Sequence, residues 1–355
     1  MRNHAVNHFM SALLYLIVLC PFLTSCGQLQ GKAAPPSQTG ILIMAHGGTP
    51  DWDAAVQEAI STLRQHCPVV VAFGMAEQTS LQQGVAELEA AGVRQIAVVR
   101  LFISGASFLH QTEYLLGLRP DPPARFVQHH HGAQAAPNTS GSHHADHSNA
   151  HTSAGSKTSD PHHGHQPPSG SHDGSADVPL PIRTSAQIVI SRQGLMDSDR
   201  IAEILSDRVK NLSTSPAQES VLFLAHGAGE DEENDQIIAQ IKRLAKNLEP
   251  LGAFRAIGVE TLREDWPEKR IRAEKRIRDF VTQGNQNSGS VLVVPFRLFG
   301  FGPYAKVLEG LQYVSDEKGL LPHPIIADWM RSQAETCIRQ AGWQNPFTIT
   351  EPQSK

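Results

Sequence analysis

At 355 residues, with 40% hydrophobic and 18% charged residues, the chain is long enough for two units that each bury a core. A net charge of −5 and few aromatic residues argue against the basic, base-stacking surface of a nucleic-acid binder. Histidine is the outlier, at 18 residues.

The first 26 residues read as a targeting segment. Arg2 supplies a positive start, and 9–19 is an apolar run too short for a comfortable membrane span. Leu23-Thr24-Ser25-Cys26 resembles the lipobox of bacterial lipoproteins, in which the Cys becomes the lipidated first residue. An ordinary secretory signal with a chance Cys is the alternative. With Cys26 as lipid anchor and 27–39 as tether, the expected location is the cell envelope, on the periplasmic side of a bacterial membrane. Cys20 falls in the leader, so Cys67 and Cys337 remain. They have no CxxC spacing and suggest no thiolate metal site; a disulfide between them stays open.

Strand and helix patterns then alternate. Residues 41–45 form an apolar strand, 53–66 a helix and 69–73 a second strand. Ser80 can cap a helix through Ala91, which Gly92 closes. A strand at 95–102 and a helix at 107–116 follow. Between 129 and 175 apolar periodicity stops and eleven histidines gather among Gly, Ser, Pro, Ala and Asn. Such a stretch has too little apolar surface to offset ordering entropy and is expected to be disordered. Regular patterns resume with a strand at 186–191, a helix at 197–212, a strand at 221–225 and a helix at 234–248. A strand at 254–259, a charged helix at 267–282 and a strand at 290–296 come next, then helices at 304–311 and 325–341. The fold class is therefore α/β: two similar lobes, each a parallel sheet flanked by helices, at 40–195 and 218–342, with a tail at 343–355.

One phrase occurs twice. Ile41-Leu42-Ile43-Met44-Ala45-His46-Gly47-Gly48 returns as Val221-Leu222-Phe223-Leu224-Ala225-His226-Gly227-Ala228-Gly229. A second echo sets Arg100-Leu101-Phe102 beside Arg297-Leu298-Phe299, and together they read as a duplicated module. A buried parallel strand that feeds a Gly-rich turn ends at the carboxyl edge of its sheet, where ligand sites form. His46 and His226 are thus placed to bind a metal or to take a proton. Each can equally be a histidine that only hydrogen-bonds a loop; the repetition favours a site. Neither turn carries a P-loop or a GxGxxG pattern.

The Ala-His-Gly strand ends, the segment Phe73-Gly74-Met75-Ala76-Glu77 before Ser80-Leu81, and the Leu101-Phe102 strand before a Gly-containing turn resemble the CbiX/SirB family of sirohydrochlorin chelatases, in its long duplicated form. The resemblance implies two α/β lobes around a cleft and ATP-independent insertion of Co²⁺ or Fe²⁺ into a tetrapyrrole. It makes His46 the first-strand histidine for metal binding and proton abstraction, and His226 its counterpart. The chain departs from the pattern elsewhere. Where the family has a histidine after the third strand, it reads Gly105-Ala106-Ser107 and Gly300-Phe301-Gly302-Pro303. His110, three residues on, is the candidate substitute ligand, with an exposed helix histidine as the alternative. Met75 replaces the family acid. Glu77 or, in the second half, Glu260 is the carboxylate left to assist catalysis, and Glu260 can also be a solvated strand end.

The histidines of 129–172 can hold Ni²⁺, Co²⁺, Zn²⁺ or Cu²⁺ in adaptable geometry, or serve as a polar spacer. The basic residues of 263–278 alternate with Glu264, Asp265, Glu268 and Glu274 and suggest a solvated helix face. Two functions are expected to compete. One is a lipid-anchored chelatase that handles cobalt, iron or nickel with a sirohydrochlorin-like tetrapyrrole as partner. The other is a non-catalytic metal-storage lipoprotein on a chelatase scaffold.

Overall fold

The computed structural model describes residues 38–124, 126 and 178–348. The readings of leader, lipobox Cys26, most of the tether and the whole His-rich insert lie outside them, as does the end of the tail. The described residues belong to one compact unit, Pro36–Lys355.

The first sheet contains β1 (Thr39–Ala45), β2 (Val69–Phe73), β3 (Gln95–Leu101) and β4 (Gln187–Ile190), all parallel, in the order β2-β1-β3-β4. The second contains β5 (Glu219–Ala225), β6 (Ala256–Thr261) and β7 (Ser290–Phe296), parallel in the order β6-β5-β7. Between them run α1 (Pro50–Ala59), α2 (Gln78–Ala90), α3 (Leu109–Leu115), α4 (Ile201–Leu212), α5 (Asp231–Ala245), α6 (Pro267–Gly284), α7 (Tyr304–Val307) and α8 (Pro324–Gln340).

Local chemistry explains these starts. Thr49 Oγ1 accepts from the Trp52 N–H and Pro50 takes the first helical position, so α1 begins three residues before its apolar periodicity. Acidic Asp231, Glu232 and Glu233 open α5, and Lys242 and Arg243 close it, complementing the helix dipole. The helix read at 53–66 breaks after Ala59 and finishes as a short 3-10 turn, Leu63–Gln65.

Strand alternation sorts the apolar residues into layers. Ile41, Ile43 and Ala45 of β1 share a central core with Val221, Phe223 and Ala225 of β5 and with the apolar faces of α1, α4, α5 and α8. Leu42 and Met44 face the opposite way, onto α2 and α3; Leu222 and Leu224 face α6 and α7. Every residue of β1 and of β5 is buried, as a strand covered on both faces requires.

The last helix returns to the beginning. α8 packs on β3, β4 and α1 of the first sheet, while α4 packs on β7 and α5 of the second. Cys337 of α8 and Cys67 before β2 lie in the shared core as buried free thiols, so they do not form the disulfide left open above. Gly105 and Gly194 interlock: a Cβ on Gly194 would lie 2.3 Å from the Gly105 nitrogen. That close backbone approach is open only to glycine, and it fixes the turn Gly105-Ala106-Ser107 that follows β3.

The Arg-Leu-Phe echo is not the structural equivalence. Ala45 pairs with Leu101, and Ala225 with Phe296. By register, Arg297 therefore matches Phe102 rather than Arg100. The shift is two residues, so both arginines stay on the same face of their sheets.

Candidate functional site at the strand ends

Each Ala-His-Gly phrase ends its strand as the alternating pattern suggests. In both copies the turn is fixed from the following helix. The Gly48 N–H donates to Asp53 Oδ1 (3.1 Å) and the Ala228 N–H to Asn234 Oδ1 (3.3 Å). Gly47 and Gly227 adopt positive φ, 69° and 86°; a Cβ would be tight against Phe73 and Asp53 at the first and would overlap Asn234 and Thr261 at the second. One or two residues further on, Gly48 and Gly229 let an indole lie on the backbone, Trp52 and Trp266 respectively.

The histidines are held alike. Nδ1 of His46 lies 2.6 Å from the Gly47 carbonyl oxygen, and Nδ1 of His226 lies 2.9 Å from that of Gly227. A carbonyl only accepts, so Nδ1 carries the hydrogen and Nε2 keeps its lone pair in the neutral ring. His323 shows the opposite arrangement. Its Nδ1 accepts from the Ile325 N–H at the start of α8 and its Nε2 donates to Asp207 (3.2 Å), so both nitrogens serve the fold. Metal binding or proton transfer needs a ring nitrogen that the fold does not use, which His46 and His226 present at Nε2.

Their surroundings differ. The His46 ring stacks on Trp52 at 5.1 Å, and Trp52 stacks on Phe299, from the loop after β7, at 6.2 Å. His226 Nε2 lies 3.2 Å from Asp265 Oδ2 and 4.0 Å from Glu264 Oε2, and its ring meets Trp266 edge-on at 6.1 Å. Glu264 is also tied to Arg297, at 2.6 Å. The loop after β7 thus reaches toward both histidines: Phe299 through Trp52 to His46, and Arg297 through Glu264 to His226.

A basic latch backs the second histidine. Arg263 holds a left-handed backbone (φ 57°); its N–H donates to the His226 carbonyl, and its guanidinium reaches Gly229 O and Asp231. Lys269 bonds the same two groups. Hydrogen bonds from Lys269 and then Arg263 pull the Asp231 carboxyl down to about 2. In the first half, burial lowers the Arg100 guanidinium to about 10, partly offset by Glu113.

Other candidates go elsewhere. Glu260 lies on the α6 face of β6 and is ion-paired with Arg276 at 2.9 Å; the structure does not bring it to His226. The reason is alternation: Thr261 takes the inner face beside Asn234, so Glu260 takes the outer one. His110 is exposed on the first turn of α3. Among the described residues no three His, Cys, Asp or Glu side chains group as a metal site, so His46, His226 and His110 do not form one cage. Sequence reading missed Asp265, Trp52, Trp266 and Phe299 as neighbours of the histidines. The available signal was Asp265-Trp266-Pro267: a proline at a helix start places the two residues before it on the strand-end loop.

Together these features define an α/β protein of chelatase-like fold. Its overall likeness is to SirB from Bacillus subtilis with Fe3+, at a TM-score of 0.53 and 13% identity over 87% of this chain and 99% of that one. Residues 40–133 match the CbiX family model. SirB from Bacillus subtilis subspecies spizizenii in complex with cobalt aligns at a TM-score of 0.49 and 11% identity, covering 86% of this chain and 97% of that chain. A multi-domain protein of Deinococcus radiodurans with structural similarity to chelatases, DR2241, aligns at 0.45 and 15% identity, covering 83% of this chain and 54% of that chain. No curated protein matches this chain.

Proposed function

We propose that the protein is a sirohydrochlorin-chelatase-type metal inserter, in which His46 and His226 handle a divalent metal substrate, cobalt, iron or nickel, beside a tetrapyrrole. One observation carries this reading: two Ala-His-Gly strand ends fix their imidazoles by the same Nδ1–H to glycine carbonyl bond and leave Nε2 available. The CbiX match over 40–133 supports it for the first half. The similar SirB structure from Bacillus subtilis is one with Fe3+, which is in keeping with a transition-metal substrate. Metallation must remove two pyrrole N–H protons and deliver a weakly held ion; a neutral imidazole can serve either step. Duplication of one ancestral module accounts for the shared order of β2-β1-β3 and β6-β5-β7.

The test is direct. Purified protein supplied with Co²⁺ or Fe²⁺ and sirohydrochlorin is expected to change the macrocycle spectrum faster than the uncatalysed control, and His46→Ala with His226→Ala to remove that gain. No acceleration rejects the reading.

A storage role is favoured by one feature, the tight Gly105–Gly194 contact where a family histidine is expected. Deleting 129–172 separates the two. A storage protein loses most of its bound metal, whereas a chelatase keeps its turnover at saturating metal. Lipid anchoring through Cys26, with the mature chain in the cell envelope, is part of the proposal. Among the described residues no helix is long and apolar enough to cross a membrane.

A further inference from the structure

We propose that Asp265 is the partner of His226 in receiving the cation, so that the second half is where the metal is first held. This rests on the chelatase-type reading above and names the residue that reading lacks. The argument starts from hydrogen-bond capacity. His226 Nδ1 donates to the Gly227 carbonyl, which leaves a lone pair on Nε2 of the neutral ring. That nitrogen faces Asp265 Oδ2, a second acceptor, across 3.2 Å. Two lone pairs at that distance require a positive centre to share, either a second ring hydrogen or a metal ion.

The spacing suits an ion. Two ligands about 2.1 Å from one metal are roughly 3.0–3.4 Å apart at right or tetrahedral angles. Both side chains are reachable, His226 being 44% and Asp265 71% exposed. Glu264, at 4.0 Å, is engaged by Arg297 and stays out of the pair. Two protein ligands leave positions open for water and incoming nitrogens, which suits an ion that must leave again. His46 offers no such pair: among the described residues its ring meets the Gly47 carbonyl and Trp52, and no carboxylate.

The experiment uses the full chain with the histidines of 129–172 replaced by serine, titrated with Co²⁺ alone and read by calorimetry and by the visible absorption of bound cobalt. Asp265→Asn is expected to weaken Co²⁺ binding about 10- to 100-fold, with a smaller loss from His46→Ala than from His226→Ala and Glu260→Gln within about twofold of the parent. His226→Ala is expected to abolish the cobalt spectrum, and Asp265→Glu to restore part of the loss seen with Asp265→Asn. Circular dichroism checks that each variant folds. Parental binding by Asp265→Asn, or equal losses from His46→Ala and His226→Ala, overturns the proposal while leaving the chelatase reading intact. Unchanged binding in both histidine variants overturns both.

Discussion

His46 and His226 show how much a single bond decides. The neighbouring glycine carbonyl fixes each ring, and the following loop then makes the two unequal: indole stacking for one, carboxylates for the other. The repeated phrase made both histidines legible in the sequence, because a strand end and its glycine turn are local features. Asp265 and Glu264 were not legible as partners, because only the pairing of β5 with β6 brings their loop beside His226. Asp231 carries a residue-scale prediction. Its carboxyl is held at about 2, below the value of about 4 expected in an unfolded chain, so the latch to Lys269 and Arg263 stabilises the fold above about pH 4. The contribution fades as pH falls through that window. The difference in urea midpoint between the parent protein and Asp231→Asn is therefore expected to be present at pH 6 and to vanish toward pH 2. A difference that persists at the acid end contradicts the assignment.

At the scale of elements, the sequence reading places all seven strands of the described residues, with ends off by at most two residues. Continuous apolar runs such as 41–45 and 290–296, short and bounded by turn residues, suit a strand covered on both faces. Helix starts were read late because α1 and α5 begin on polar caps, Thr49-Pro50 and Asp231-Glu232-Glu233, ahead of their apolar periodicity. What local pattern cannot reveal is which sheet a helix covers. Nothing in 324–340 announces that it packs against β3, β4 and α1. Trp329 is the test of that placement. It is 3% exposed within the shared core, and Trp329→Ala is expected to cost about 3–5 kcal/mol in chemical unfolding. Burial pushes the Cys67 thiol up to about 12, so it stays neutral and shielded in the folded parent. The variant is expected to expose it to a thiol reagent measurably faster. Unchanged labelling means that α8 does not guard this side of the sheet.

For the molecule as a whole, the central core is the decisive feature. It takes side chains from both sheets and from the helices between them, so neither half owns a complete interior. Calorimetry is expected to show one cooperative transition with equal van't Hoff and calorimetric enthalpies, rather than two separable steps. Two resolved transitions would mean that the halves fold independently. The outer layers against α2 with α3, and against α6 with α7, are private to each half and are where local opening is expected first.

The return of α8 to the first sheet has a temporal meaning as well. Translation delivers β1 to β3 long before residues 324–340. Until those residues leave the ribosome, the nascent N-terminal half has an uncovered apolar flank for much of its synthesis, a state prone to aggregation and attractive to chaperones.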